Sequence, residues 1–287
     1  MPKLPLSVII LSRNEEKYIA RAVESARFAG EVLVVDAKST DRTREIAERL
    51  GAKVIERAWT GFRDQRNFAL GEAAHEWVFM LDADEAATTT LASWLTAFFA
   101  AGRDSCPPYG FKIHRVEYFL GKEITGACWN PSYQDRFFRR SKAKFVGEIH
   151  EYPVVEGGLV RAPEDAALLH NPRVTVESFL EKMNRYTTVE AWDRYRLGER
   201  TGLVHMGVTF FSTWVKNYFY YKAYRDGAHG FVIALLEAVS RTVRHIKLWQ
   251  IQRMKAEARE DLLLTPERAL AAGARLHREL ESEHLRG

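Results

Sequence analysis

Asp82 and Asp84 stand one residue apart, directly after the apolar run Trp77-Val-Phe-Met-Leu81. In an extended chain, two carboxylates so spaced point to the same side, with α-carbons roughly 6.5 Å apart. Left alone they repel each other. A divalent cation offsets that repulsion, and it can also hold the oxygens of a diphosphate and act as a Lewis acid on a departing group. Soft zinc ligands are missing, because the chain has only two cysteines, Cys106 and Cys128, and this points to Mg²⁺ or Mn²⁺. The same spacing also suits turn and helix-capping residues, so the pair takes its meaning from its surroundings.

Two other polar clusters end apolar runs in the same way. Arg13-Asn14, with Glu15, follows Ser7 to Leu11, and Asp36 follows Glu31 to Val35. Between the runs lie stretches with helical spacing: Ile19, Ala22, Val23 and Ala26; then Ile46, Ala47 and Leu50; then Asp64 to Glu72. Lys53 to Glu56 reads as a further strand. Strand alternating with helix predicts an α/β fold built on a parallel sheet covered on both faces. In such a sheet ligands bind beyond the carboxyl ends of the strands, which is where all three clusters fall. Asn14 is expected to cap the first helix, with Glu15 and Glu16 favoured at the positive end of its dipole.

From Tyr109 the alternation weakens. Gly110 to Val116, Gln134 to Arg139 and Lys144 to Tyr152 read as strands, expected to close over the sheet edge as an acceptor platform, and Val176 to Trp192 returns to helical spacing. A catalytic domain over residues 1–198 is expected, in two halves over about 1–105 and about 106–198. Residues 199–287 read as a helical extension. Between His205 and Lys255 stand eight lysines and arginines, two acidic residues and ten aromatics. In a helix over Phe231 to Gln252, Val232, Leu235, Val239, Val243 and Ile246 share one face, flanked by Arg241, Arg244 and Lys247. That is the pattern of a helix lying on an anionic membrane surface.

Composition bounds these readings. With 46% hydrophobic and 28% charged residues in 287, the chain is ordinary globular material, and a net charge of +4 selects no partner by itself. Glu237 interrupts the best apolar run, Phe231 to Val239, well short of the roughly 20 residues that cross a bilayer. No export signal is read at the amino terminus, so the expected location is cytoplasmic, peripheral at the inner face of the membrane. A dehydrogenase is disfavoured because no glycine-rich turn follows the first strand. Two alternatives stay open. One is a phosphatase of the haloacid dehalogenase type, although its nucleophilic aspartate usually follows the first strand. The other is a non-enzymatic nucleic-acid binder using the basic aromatic tail.

Taken in order and spacing, SVIILSRNEE, EVLVVDAKSTDRT, the QRNFAL segment and WVFMLDADE resemble the nucleotide-sugar half of family 2 glycosyltransferases with the GT-A fold. Tyr133 to Arg140, Gly147 to Glu151 and Leu168 to Tyr186 resemble the branch that includes lipopolysaccharide-core glucosyltransferases. The resemblance implies inverting transfer from a UDP-sugar to a lipid-linked glycan, with no nucleic-acid partner. By position, Asp36 would accept a hydrogen bond from the base, Arg66 would lie against the nucleotide, and Asp82 and Asp84 would bind ribose and metal diphosphate, Asp84 being the better metal ligand. Ala37-Lys38 departs from the small residues, often Ser-Gly, usual in that loop, and could bring Lys38 towards the phosphates.

Direct displacement at the anomeric carbon needs a base opposite the leaving diphosphate. Glu151 is chosen because its His-Glu pair resembles the family, with Glu148 as the rival. His150 and His170 could touch metal or phosphate, although a lone histidine also serves as a hydrogen-bonded structural residue; His170 is taken with Asp84 as the metal set. Arg136, Arg139 and Lys182 are candidates for binding phosphate, and equally for solvated surface charge.

Overall fold

The computed structural model describes residues 3–105, 107–147, 151–170, 175–266, 268 and 269. The chain divides into two compact units, Met1–Glu117 with Pro131–Asn171, and Tyr118–Asn130 with Pro172–Gly287.

In the first unit, strands β1 (Leu4–Ser12), β2 (Ala29–Asp36), β3 (Lys53–Glu56) and β4 (Trp77–Asp82) alternate with helices α1 (Ile19–Ser25), α2 (Thr43–Arg49) and α3 (Phe62–Glu72). The strands pair in parallel in the order β3-β2-β1-β4, as the alternation in the sequence predicts. The inner strands β1, β2 and β4 are largely apolar because both faces are covered, whereas β3 at the edge exposes Lys53 and Glu56. Val8, Ile10, Val34, Phe79 and Leu81 pack on one side with Ile19, Ala22 and Val23 of α1 and with Leu91, Leu95 and Phe98 of α4 (Thr89–Ala100). Ile9, Leu33, Val35, Val78 and Met80 face the other side, against Ala69 and Leu70 of α3. The register brings the strand ends level, with Ser12 opposite Asp36 and Leu11 opposite Asp82.

The chain continues through β5 (Ala86–Ala87), β6 (Gly110–Val116), a short hairpin of β7 (Tyr118–Phe119) and β8 (Lys122–Glu123) in the second unit, β9 (Ser132–Arg139), β10 (Ala143–Val146), β11 (Tyr152–Val155), β12 (Val160–Arg161) and β13 (Ala167–Leu169). Of the strands expected to close over the sheet edge, β6 and β9 instead join the sheet, while β10 pairs with β11 in a separate hairpin. β9 runs antiparallel between β4 and β6, and β13 lies between β6 and β5. The pairing of Phe137 with Phe79 aims the neighbouring Arg136 at the end of β4. The parallel pairing of Leu169 with Val116 sets the next residues, His170 and Glu117, side by side. The β10–β11 hairpin covers the α3 face through Phe145 and Val155. Asn67 fixes it there: its side-chain amide donates to the Phe145 carbonyl and accepts from the Phe145 N–H, both at 2.9 Å.

In the second unit, α5 (Val176–Arg196) and α6 (Leu203–Val215) both pack on α7 (Ala228–Ala256). The helix over 176–196 therefore groups with the helical unit, whereas the sequence reading had placed it at the end of the catalytic domain. Asp226 is buried and accepts from the Thr125 N–H, the Thr125 hydroxyl and the Gly126 N–H, which ties the 118–130 segment to the helices. Among the described residues no helix is long and apolar enough to cross a membrane.

Candidate active site

The first two strand ends are stitched together by side chains. Asp36 is fully buried, with one carboxylate oxygen accepting from the Ser39 N–H at 2.7 Å and the other from the hydroxyls of Ser12 at 2.8 Å and Ser39 at 2.5 Å. These contacts fix the Asp36 carboxylate and shape the loop that follows β2. Asn14 does not cap α1, which starts at Ile19 after a Tyr18 without a side-chain cap. Its amide oxygen accepts from the Thr40 N–H at 2.9 Å, and the backbone N–H groups of Asn14, Glu15 and Glu16 donate to Ser39, Thr43 and Asp41. Lys38 has a φ of 58°, in the left-handed region that glycine enters without a Cβ penalty, which explains why small residues or glycine suit this loop. Arg13 is exposed beside these loops.

At the end of β4, Arg136 is only 4% exposed and grips two carboxylates. Its guanidinium donates to both oxygens of Asp82, to Oδ1 at 3.1 Å, and to Glu85 Oε1 at 2.7 Å. Burial opposes ionisation of Asp82, yet Arg136 and Arg66 hold its carboxyl well below the usual range, while burial pushes Glu85 up. Arg136 therefore positions Asp82, with its guanidinium committed to carboxylates and buried rather than solvated at the surface. Arg139 pairs with Glu76 at 3.2 Å, at the opposite end of β4 from the aspartates. Arg66 lies 3.9 Å from Asp82 and 3.5 Å from Glu151, with its guanidinium carbon 5.2 Å from the centre of the Phe145 ring. Glu151, Arg66 and Asp82 share the wall of a cavity of about 340 Å³ with Lys112, Tyr133 and Tyr152. The structure thus brings together three of the residues singled out in the sequence.

Asp82 and Asp84 do not share an extended segment. The Glu85 N–H donates to the Asp82 carbonyl at 3.0 Å, closing a turn that sends Asp84 to a different partner. Asp84 Oδ2 faces His170 Nε2 at 3.3 Å, and His170 Nδ1 lies 2.8 Å from Glu117 Oε2. Glu117 is held in turn by Arg115 Nε at 2.6 Å, and Arg115 reaches Glu85 at 3.3 Å. Burial disfavours a charged His170 ring, but its bonds to Asp84 and Glu117 outweigh that and raise its pKa to about 9. Burial likewise opposes ionisation of Glu117, and the bonds from His170 and Arg115 keep it below the usual range. Among the described residues no three potential ligands gather around one point. Asp84 and His170 do form a pair: two ligands at right angles with bonds of roughly 2.1 Å lie roughly 3 Å apart, close to the spacing seen here. The residues present therefore fit a cation with two protein ligands, the remaining positions being left for substrate oxygens and water.

Glu85, Arg115 and Glu117 were not singled out in the sequence, and no motif spacing marks them. Glu148 and His150 lie outside the described residues. Lys182 is exposed on α5 in the second unit, with its ammonium 5.9 Å from the centre of the Tyr186 ring.

The sequence profile described as Glycosyl transferase family 2 matches residues 7–154, which spans β1 to β11 and includes every residue of this strand-end cluster except His170. The chain belongs to glycosyltransferase family 2. Its sheet and helices form the GT-A fold expected of that family, and membership selects glycosyl transfer over phosphate-ester hydrolysis. The lipopolysaccharide core biosynthesis glycosyltransferase LpsC of Rhizobium meliloti is 29% identical over 91% of this chain and 98% of its own. An uncharacterized glycosyltransferase of Rickettsia conorii is 28% identical over 85% of this chain and 89% of its own. Among solved structures, S. aureus TarS 1-349 in complex with UDP matches with a TM-score of 0.41 and 18% identity over 88% of this chain and 92% of that one. Glucosyl-3-phosphoglycerate synthase of Mycobacterium tuberculosis, with Mn²⁺, UDP-glucose and phosphoglyceric acid, matches at 0.43 and 17% over 69% and 81%.

Two consequences of the cluster can be measured on this transferase without substrate. Arg136→Met leaves Glu85 and Asp82 without their shared counter-charge and is expected to cost about 3–5 kcal/mol in urea denaturation; a loss below about 1 kcal/mol would mean that the buried ion cluster is not holding the strand end. The His170 pKa is raised from 6.5 to about 9, so its bonds add stability that is fully present below pH 6.5 and lost as pH rises through 9. Metal-free wild-type protein should therefore lose stability across that window, and His170→Gln should flatten the profile.

Proposed function

We propose that this chain is an inverting, metal-dependent transferase moving a sugar, by family resemblance glucose, from a UDP-sugar to a lipid-linked glycan of the lipopolysaccharide inner-core kind. One observation carries the reading: the Asp84–His170 pair and the Glu151 carboxylate flank the same Arg66–Asp82–Arg136 cluster at the strand ends. The match to LpsC over nearly the whole of both chains supports the acceptor class.

Asp84 and His170 are the residues that would hold a cation, and when bound it would supply Lewis-acid assistance to the departing diphosphate. Of the two candidate ions, Mn²⁺ accepts an imidazole nitrogen more readily than Mg²⁺, which prefers oxygen. Asp82, with its side chain 40% exposed, offers acceptors to ribose hydroxyls while Arg136 fixes its orientation. Arg13, Asn14 and Glu15 form the neighbouring rim that the nucleotide would meet. Glu151 takes the proton from the acceptor hydroxyl as that oxygen bonds to the anomeric carbon, opposite the departing diphosphate, so configuration inverts. Arg66, 3.5 Å away, keeps the carboxylate in place.

The helical unit supports work at the inner face of the cytoplasmic membrane, through a different helix from the one the sequence suggested. On α7, Arg244 pairs with Glu190 at 3.0 Å, and the Lys247 ammonium donates to Asn184, Thr187 and Thr188, so both cations are committed to α5. On α6 it is the apolar face that looks outward: Val204, Val208, Phe211 and Val215 fall on one stripe and are exposed, whereas Met206 and Thr213 are buried. Phe219 and Tyr220 extend the exposed surface. Lys216, Lys222 and Arg225 nearby are exposed and make no ion pair among the described residues. The two acidic residues of this stretch, Asp226 and Glu237, are occupied by Thr125 and Gly126 and by Trp129. An apolar stripe edged by unpaired cations suits an anionic lipid surface.

Glu151→Gln is expected to keep UDP binding while lowering sugar transfer by about 10²- to 10⁴-fold; wild-type turnover would move the base elsewhere. In vesicle flotation, the protein should rise with anionic but not with zwitterionic liposomes, and Val208→Asp with Phe211→Asp should abolish this without unfolding the chain. Flotation unaffected by the pair, or self-association removed by it in size-exclusion chromatography, would assign the stripe to another partner.

A further inference from the structure

Glu117 lies outside any motif of the chain, yet it is the residue that touches the far side of the His170 ring. We propose that Glu117 is a positioning residue that selects the His170 tautomer able to ligate a cation through Nε2. The inference rests on the reading of Asp84 and His170 as the cation pair.

The argument starts from the chemistry of imidazole. In the neutral ring one nitrogen donates and the other accepts, and only the nitrogen without hydrogen can bind a metal. Nothing intrinsic to the ring makes Nε2 that nitrogen. Glu117 Oε2 lies 2.8 Å from Nδ1 and Asp84 Oδ2 lies 3.3 Å from Nε2, so the metal-free ring donates from both nitrogens; where a cation beside Asp84 would take the place of the Nε2 hydrogen, Glu117, which can only accept, keeps the other hydrogen on Nδ1. Giving up the Nδ1 hydrogen instead would set a bare nitrogen against Glu117 and leave Nε2 protonated towards the cation.

Glu117 is itself held. Arg115 Nε donates to its other oxygen at 2.6 Å, and Arg115 Nη1 is anchored by buried Glu85 at 3.3 Å. The sheet fixes the approach, since the Leu169–Val116 pairing and the bond from the His170 N–H to the Val116 carbonyl at 3.1 Å bring the two residues level. A carboxylate behind a metal-binding histidine typically contributes 10- to 100-fold in metal affinity.

The test is a double-mutant cycle on Mn²⁺ affinity, read by electron paramagnetic resonance in the presence of UDP, with circular dichroism to confirm that each variant is folded. Glu117→Ala is expected to weaken Mn²⁺ binding 10- to 100-fold. Glu117→Gln, which keeps an acceptor without the charge, should recover most of that loss. In the His170→Ala background, Glu117→Ala should change the affinity no further. A loss that persists in that background, or one that the glutamine variant shares in full, would make Glu117 a source of negative charge and overturn the proposal. Wild-type Mn²⁺ affinity in Glu117→Ala would overturn it alone, whereas failure of the wild-type protein to bind Mn²⁺ would overturn the cation reading together with it.

Discussion

Arg136, almost wholly removed from solvent between Asp82 and Glu85, is the interaction on which the strand end depends. Two carboxylates brought this close would not both ionise without it, and removing either sign from such a site leaves a buried charge uncompensated. Its effect reaches further through contacts. From Arg136 one route runs through Asp82 and Arg66 to Glu151, and another through Glu85 and Arg115 to Glu117, His170 and Asp84. The group proposed as base and the pair proposed as cation ligands are thus ends of one alternating chain of charges. Such an arrangement holds carboxylates at fixed separations, its cations keeping Asp82 and Glu117 ionised while burial pushes Glu85 up.

The parallel half of this site was legible in the sequence because its signals are local. Each of the first four strands is an apolar run, and each helix between them shows its own period. The ends of those strands therefore reveal where Asp36, Asp82 and Asp84 must lie. What failed was conformation within a few residues: Asp82 and Asp84 are separated by a turn, and Asn14 spends its amide oxygen on the Thr40 N–H instead of capping α1.

Pairings between distant segments carried the rest. Arg136 reads as one more basic residue until β9 is seen to run antiparallel to β4, and Glu117 has no meaning until β13 settles beside β6. The helical unit gives the same lesson. The apolar period of α7 was visible, but not that α5 would claim its cations and leave α6 as the helix with its apolar side outward. Val204, Val208, Phe211 and Val215 stand exposed on α6, which the sequence alone could not assign to one helix over its neighbour.

Calorimetric titration of UDP into the protein, with and without Mn²⁺, tests most directly whether the strand-end carboxylates hold a cation that clamps the donor's diphosphate. Affinity at least tenfold higher with Mn²⁺, and loss of that gain in Asp84→Asn with the fold intact, is the expected result. Equal UDP affinity with and without the metal, or a metal-dependent gain that survives Asp84→Asn, would contradict it.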